Sequence, residues 1–303
     1  MRVGGWQRLW GRRVVLGIPY VWLVAFFLVP LLIVGKISIS EIAQAVPPYE
    51  PLLEFAEGGL VAVRATFTNF TLLFEDDLYV TAYFQSLTIA GISTIFCLLI
   101  GYPMALAIAR AREDRRGPLL LLVILPFWTS FLIRVYAWMG ILKDEGLLNG
   151  LLLWLGVINE PLVILNTDTA VYIGIIYSYL PFMVLPLYAT LEKLDPALLE
   201  AAADLGAKPL RAFWSVTLPL SVPGIVAGSL LVFVPAVGEY VIPDLLGGGD
   251  TQMLGKALWD MFALNRDWPS AAALAVVMLA ALAVPIALFQ KWQTKLEQAE
   301  DEV

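Results

Sequence analysis

Few residues of this chain could do chemistry inside a membrane. Glu239 lies within an apolar run, flanked by Pro235, Gly238 and Pro243 and followed directly by Tyr240. Ionisable groups in such surroundings are costly and by default suggest function. Its neighbours point to a broken helix with freed backbone carbonyls, which is tolerated only beside protein or a water-filled cavity. Arg134 is the basic residue that falls within another apolar run, on one helical face with Phe127, Phe131 and Trp138, while Tyr172, Ile176, Tyr179 and Met183 share a second face. Aromatic stripes at helical spacing serve packing or interface anchoring as readily as a cavity, so both readings stand. Arg134 and Glu239 each lie sixteen positions past an opening proline, Pro118 or Pro223. Both then sit about 24 Å along outward-running helices. At equal depth they can pair, either as structural neutralisation or as a gate at which an incoming cation competes for Glu239.

A second constellation is polar and small. Glu200-Ala201-Ala202-Ala203-Asp204-Leu205-Gly206 is followed nine residues later by Val216-Thr217-Leu218-Pro219. Asp195 suits an N-cap and Pro196 the first helical position. The spacing predicts a helix over 197–205, with Gly206 ending it in a left-handed C-cap. Pro209 opens a second short helix over 210–216, and Pro219 marks its end. A helix–Gly–helix hairpin displayed in a loop is something another protein can grip.

The elements that must position these groups are set by composition. Hydrophobic residues make up 60% of the 303 positions and charged residues 15%, with a mean hydropathy of +0.80, beyond what a soluble chain normally carries. Six apolar stretches can cross a bilayer core of roughly 30 Å: near 14–35, 85–109, 118–142, 170–191, 222–242 and 271–290. Strand alternation is absent, which favours a helical bundle over a barrel. The first stretch is longer than the apolar core of a signal peptide, and Lys36 and Glu41 separate it from the small-residue Ala43-Gln44-Ala45 site, so an uncleaved helix is expected.

Basic residues orient the bundle. With the N-terminus inside, the inner segments hold thirteen, namely Arg2, Arg8, Arg12, Arg13, Arg110, Arg112, Arg115, Arg116, Lys193, Lys208, Arg211, Lys291 and Lys295. The outer loops hold five: Lys36, Arg64, Lys143, Lys256 and Arg266. Both termini (1–13 and 291–303) and the 192–221 loop are therefore expected in the cytoplasm. The outer loops are acidic, with Glu54, Glu57, Asp260 and Asp267 among their carboxylates. Such a surface attracts cations, or simply reflects the exclusion of Lys and Arg from that side.

Much chemistry is excluded. With no histidine and a single cysteine, Cys97, the chain has no His base, His-based metal site or intrachain disulfide. Gly247-Gly248-Gly249-Asp250 lacks the lysine of a phosphate-binding loop. No cofactor or metal is expected in the chain itself, and a membrane enzyme is the poorest reading.

The Glu200-Ala201-Ala202, Gly206 and Leu218-Pro219 pattern resembles the EAA loop of bacterial ABC-importer inner-membrane permeases, with Val216 where isoleucine is usual. The resemblance implies an all-α, six-span, MetI-like type I importer permease (14–290) that works by alternating access. Its Glu200, Ala201, Ala202, Gly206, Leu210, Leu218 and Pro219 would contact a cytoplasmic ATPase. Two copies of that ATPase would bind ATP and Mg, beside a paralogous second permease and a periplasmic binding protein. Membrane lipid surrounds such a chain, and nucleic acid is not an expected partner. Gly101-Tyr102-Pro103, the run from Leu125 to Arg134, Pro235 to Pro243 and Arg266-Asp267-Trp268-Pro269 are similar to polyamine-importer permeases. The putrescine-type (PotH) branch is nearest and the spermidine-type (PotB) branch next. A diamine would exchange hydration for carboxylates, carbonyls and aromatic faces. The resemblance makes Glu239, Tyr240, Arg134, Trp138, Tyr172 and Tyr179 candidate pathway or gate residues and Asp260 and Asp267 outer-loop candidates. The alternatives are another small organic cation or amino-acid-like solute, or a secondary transporter or channel acting alone.

Overall fold

A computed structural model describes residues 15–55 and 61–301. The basic N-terminal segment 1–13 and Glu57 lie outside these. The chain divides into two compact units, one of Met1–Asp77 with Leu258–Ala281 and one of Leu78–Ala257 with Leu282–Val303.

In the first unit α1 (Val15–Ser38) has a mean hydropathy of 2.4 over its most apolar window, none of which is buried inside the chain. Its 24 residues span about 36 Å at 1.5 Å per residue, enough for a bilayer core. Beyond it the chain forms a two-stranded antiparallel hairpin, Leu53–Phe55 with Val61–Val63, and α2 (Thr68–Glu75). Buried Asn69 ties this segment to the end of α1, its Nδ2 donating to the Ser38 and Ser40 carbonyls at 2.9 and 2.8 Å. The hairpin is a small departure from the all-helical expectation.

The second unit begins with α3 (Asp77–Ala109), which carries Pro103 in its interior. The third expected span is not a straight helix. α4 (Glu113–Ile124) runs into a 3-10 turn, Leu125–Trp128, and α5 (Phe131–Leu142) follows. The two halves, Glu113–Trp128 and Phe131–Trp154, meet at 89°. The 3-10 turn opens with Leu125-Pro126, and Thr129 adopts an extended φ of −97° and ψ of 152°. Pro126 lacks the N–H that would continue the ladder, which opens the break. The short helix α6 (Leu147–Trp154) closes this region.

The frame of the unit is α7 (Asp168–Leu191) against α9 (Pro209–Val237). They approach closely because of glycine: a Cβ at Gly224 would fall 3.0 Å from the Pro186 carbonyl, and one at Gly228 3.1 Å from the Met183 carbonyl. Small residues at a helix interface permit such close approach. One apolar cluster gathers Ile89, Val135, Ile175, Val237 and Ile242, and another gathers Cys97, Tyr102, Met183, Leu187 and Val232. Cys97 is thus a packed core residue. α8 (Pro196–Asp204), α10 (Val241–Leu246), α11 (Leu254–Trp259) and α12 (Trp268–Asp301) complete the described helices.

Four described helices are long and apolar enough to cross a membrane: Val15–Ser38, Asp77–Ala109, Asp168–Leu191 and Pro209–Val237. The bent pair makes a fifth, and α12 has a shorter apolar part, Trp268–Val284.

Candidate functional site

The hairpin is built largely as its residues dictate. Asp195 caps α8 by accepting the Ala197 N–H at 2.9 Å, and Pro196 takes the first helical position. Gly206 has φ +81°. Its N–H reaches the Ala203 carbonyl at 2.8 Å, and the Ala207 N–H reaches Ala202 at 2.9 Å. These are the paired bonds of a Schellman C-cap. Glu200, Ala201 and Gly206 are exposed and Ala202 is half-buried. Leu205 and Leu210 are 89% and 71% exposed, with Trp214 beside them at 61%. So much bare apolar surface in a polar loop is uncommon on a surface that faces only water.

The second arm differs from expectation. Helix α9 starts at Pro209 but does not stop at Pro219. A π-turn, Phe213–Thr217, widens the helix, with the Leu218 N–H bonding to the Phe213 carbonyl. Pro219 is thereby accommodated without breaking the rod, because the wide turn already displaces the ladder that proline would interrupt. Leu218 and Pro219 are therefore part of one continuous helix from the hairpin to Val237. Phe213 also packs edge-on against Tyr102 of α3 at 5.6 Å. The Tyr102 hydroxyl shares a 2.9 Å hydrogen bond with Ser221. The hairpin is thus continuous with α9, which contacts α3 through these side chains.

At the other end of α9 the helix stops at Val237, and Glu239 sits in the break before α10. The residue is 8% exposed. Oε2 accepts from the Tyr179 hydroxyl at 2.5 Å, and Oε1 from the Val241 and Ile242 N–H groups at 3.1 and 3.5 Å. Glu239 therefore braces α10 to α7 while holding the α10 N-terminus, where an acidic group is favoured. Tyr240 is 36% exposed. Its carbonyl accepts from Asp244 within α10. α10 lies on α7 at Gly174, where a Cβ would meet Ile242 Cγ2 at 2.8 Å and Leu246 Cδ1 at 2.7 Å.

The segment behind the break is fastened by residues that the sequence reading passed over. Ser86 accepts the Leu254 N–H at 2.8 Å and Gln85 the Gln252 N–H at 3.0 Å. Thr251 donates to Asp168 at 2.5 Å. Gly255 presses on the break so closely that a Cβ would lie 2.3 Å from the Gly238 carbonyl. The one signal for these contacts was the polar pair Gln85-Ser86 at the head of an apolar run.

The expected Arg134–Glu239 pair is not formed. The depth estimate assumed two straight helices, whereas the 118–142 span breaks at 129–130 and α9 ends before Glu239. Instead the Arg134 guanidinium carbon stands 5.1 Å from the Phe127 ring centre and 5.8 Å from that of Phe131. Phe127 packs edge-on against Phe182 at 5.2 Å, and Phe182 stands 6.0 Å from Tyr179. An aromatic chain thus joins Arg134 to the Tyr179–Glu239 brace. Trp138 turns elsewhere, against Tyr177 at 5.3 Å. Tyr172 packs with Trp138 around the cluster of Ile89 and Ile175. Met183, placed by its spacing on the Tyr179 face, is wholly buried against Gly228.

In the other unit Asp267 caps α12, its side chain accepting the Ser270 N–H at 3.1 Å. The Asp260 carbonyl closes a π-turn by accepting from Asn265.

A long rod with an exposed capped hairpin at one end and a braced helix break at the other is the arrangement that comparison with known proteins then places. Residues 93–296 match the model of binding-protein-dependent transport system inner membrane components. The chain belongs to this family. It is 40% identical over 280 residues to the spermidine/putrescine transport system permease protein PotB of Haemophilus influenzae, covering 92% of this chain and 93% of that one. It is 42% identical over 258 residues to PotB of Escherichia coli K12, covering 85% and 88%. A solved bacterial ABC transporter involved in the import of the acidic polysaccharide alginate superposes with a TM-score of 0.68 at 19% identity, over 95% of this chain and 96% of that chain. That likeness concerns the fold. The MetI-like importer-permease fold implied by the motif is the fold observed. Both relatives carry the PotB name, the branch that the motifs place second.

Proposed function

We propose that this permease is one transmembrane subunit of an ATP-driven importer of small polyamines, working in the bacterial inner membrane with both termini in the cytoplasm. Its relatives are spermidine/putrescine permeases over most of their length. The Gly238-Glu239-Tyr240-Val241-Ile242-Pro243 run favours putrescine within that class. A paralogous permease completes the pathway, a periplasmic binding protein delivers cargo, and two cytoplasmic subunits bind ATP and Mg and hydrolyse the nucleotide.

The observation that carries the reading is the continuity of the exposed hairpin with α9. ATPase closure against Glu200, Ala201, Leu205 and Leu210 moves a rod whose far end meets the Glu239 break. That break supplies a buried carboxylate with, among the described residues, no basic partner. An arriving ammonium group is the countercharge it lacks, and desolvated charges of one sign favour such pairing. The neighbouring Tyr179, Phe182 and Phe127 rings offer further cation-accepting faces.

The test uses the complete complex in proteoliposomes with ATP inside the ATPase-facing compartment. Putrescine and spermidine, loaded on the binding protein, should stimulate ATP hydrolysis and be taken up, while amino acids and uncharged diols should not. Uptake by the purified chain alone would overturn the importer reading in favour of a stand-alone transporter.

A further inference from the structure

Arg134 is a permanent cation placed where an importer of cations would be expected to avoid one. Its Nε and Nη1 are buried and, among the described residues, have no hydrogen-bond partner. A guanidinium normally binds through its five donors, so one with buried donors left empty is weakly held by hydrogen bonding. Its recorded contacts are the Phe127 and Phe131 faces, at 5.1 and 5.8 Å. Those rings continue through Phe182, 37% exposed, to Tyr179 and the Glu239 carboxylate. The face that attracts a cation by its ring quadrupole is therefore already occupied by one.

We propose that the Phe127–Phe131 face is a subsite for an organic ammonium or guanidinium group and that Arg134 is its built-in occupant, displaced when cargo enters. Like charges exclude one another at such a separation, so side chain and cargo compete for one face. The side chain closes the aromatic path against cations in the resting protein. Displacing it sacrifices none of the hydrogen bonds that Nε and Nη1 would otherwise hold, which makes the plug removable. The cargo's identity rests on the polyamine reading above; the subsite itself does not.

Two measurements on the assembled complex test this. In polyamine uptake, Arg134→Ala should lower the half-saturating concentration about three- to tenfold with the maximal rate kept, the range a single cation–π contact commands. Arg134→Lys, which keeps a charge over the rings, should stay near wild type. Separately, methylguanidinium, the free form of the Arg134 head group, should bind saturably to Arg134→Ala, read by tryptophan fluorescence. It should not bind wild type or the Phe127→Ala/Arg134→Ala double variant. An Arg134→Ala complex that assembles normally, with unchanged half-saturation, would overturn the proposal, as would equal methylguanidinium binding by all three proteins. If polyamines fail to stimulate the wild-type complex, the cargo assignment falls, and the methylguanidinium arm still decides the subsite.

Discussion

At the start of α9, the hairpin is closed by bonds between near neighbours: Ala197 to Asp195, Gly206 to Ala203, Ala207 to Ala202. At its far end, beside the local bonds from Val241 and Ile242 to Glu239, the bonds that tie the break and the segment behind it to the rest of the unit join residues 60 to 168 positions apart, from Tyr179 to Glu239 and from Ser86 to Leu254. One end is folded by its own sequence and presents apolar surface outward. The other is an acidic group turned inward and held by distant helices. The difference suits the tasks proposed for them: a docking element must keep its shape when its partner leaves, whereas a pathway element must be able to rearrange when neighbouring helices move.

The comparison can be broken most sharply at Gly206. Its φ of +81° is closed to proline, whose ring holds φ near −65°. Gly206→Pro should therefore abolish cargo-stimulated ATP hydrolysis in the complex while leaving the spans inserted. Gly206→Asn, which tolerates the left-handed region, should retain most of it. Normal stimulation in the proline variant would show that the hairpin shape is not what couples the subunits.

Next in size is Glu239→Gln. The amide oxygen can still accept from α10, so assembly should survive, while loss of the charge should reduce polyamine uptake about tenfold or more, as expected for a charge-assisted contact. Undiminished uptake at low cargo concentration would reduce Glu239 to a brace.

Tyr179→Phe removes one donor to that carboxylate from 60 residues away. A hydrogen bond to a charged group contributes about 1.5–3 kcal/mol, so the melting temperature of the detergent-solubilised complex should fall measurably. Binding of the ATPase subunits should stay unchanged; weakened ATPase binding would mean the two ends of α9 are not separable.

The smallest effect is expected at Asp195→Ala. Loss of an N-cap costs about 1 kcal/mol of local helix stability, which should appear as faster amide exchange over α8 with only a modest drop in coupling. Faster exchange around Glu239 instead would contradict the local character of the hairpin.

Much of this was legible in the residues. Asp195, Pro196 and Gly206 each impose a backbone conformation by their own covalent structure, so the hairpin's first arm could be read directly. The second arm was misread because Pro219 was treated as a stop, and the compensating π-turn leaves no compositional mark. The cap that Asp267 makes on Ser270 is not legible beside its place as an outer-loop candidate, because a capping bond depends on where α12 begins.

By itself the sequence determined the membrane setting, the exposed hairpin and the presence of a break around Glu239. Length, apolarity, proline and left-handed glycine act over a few residues, and their consequences do not depend on what lies across the bundle. Only the tertiary structure decided what Glu239 and Arg134 touch. The 89° bend and the early end of α9 turned a plausible ion pair into two separate sites. A side chain's partner depends on helix direction and on which distant surfaces meet, and residue spacing along one rod carries neither.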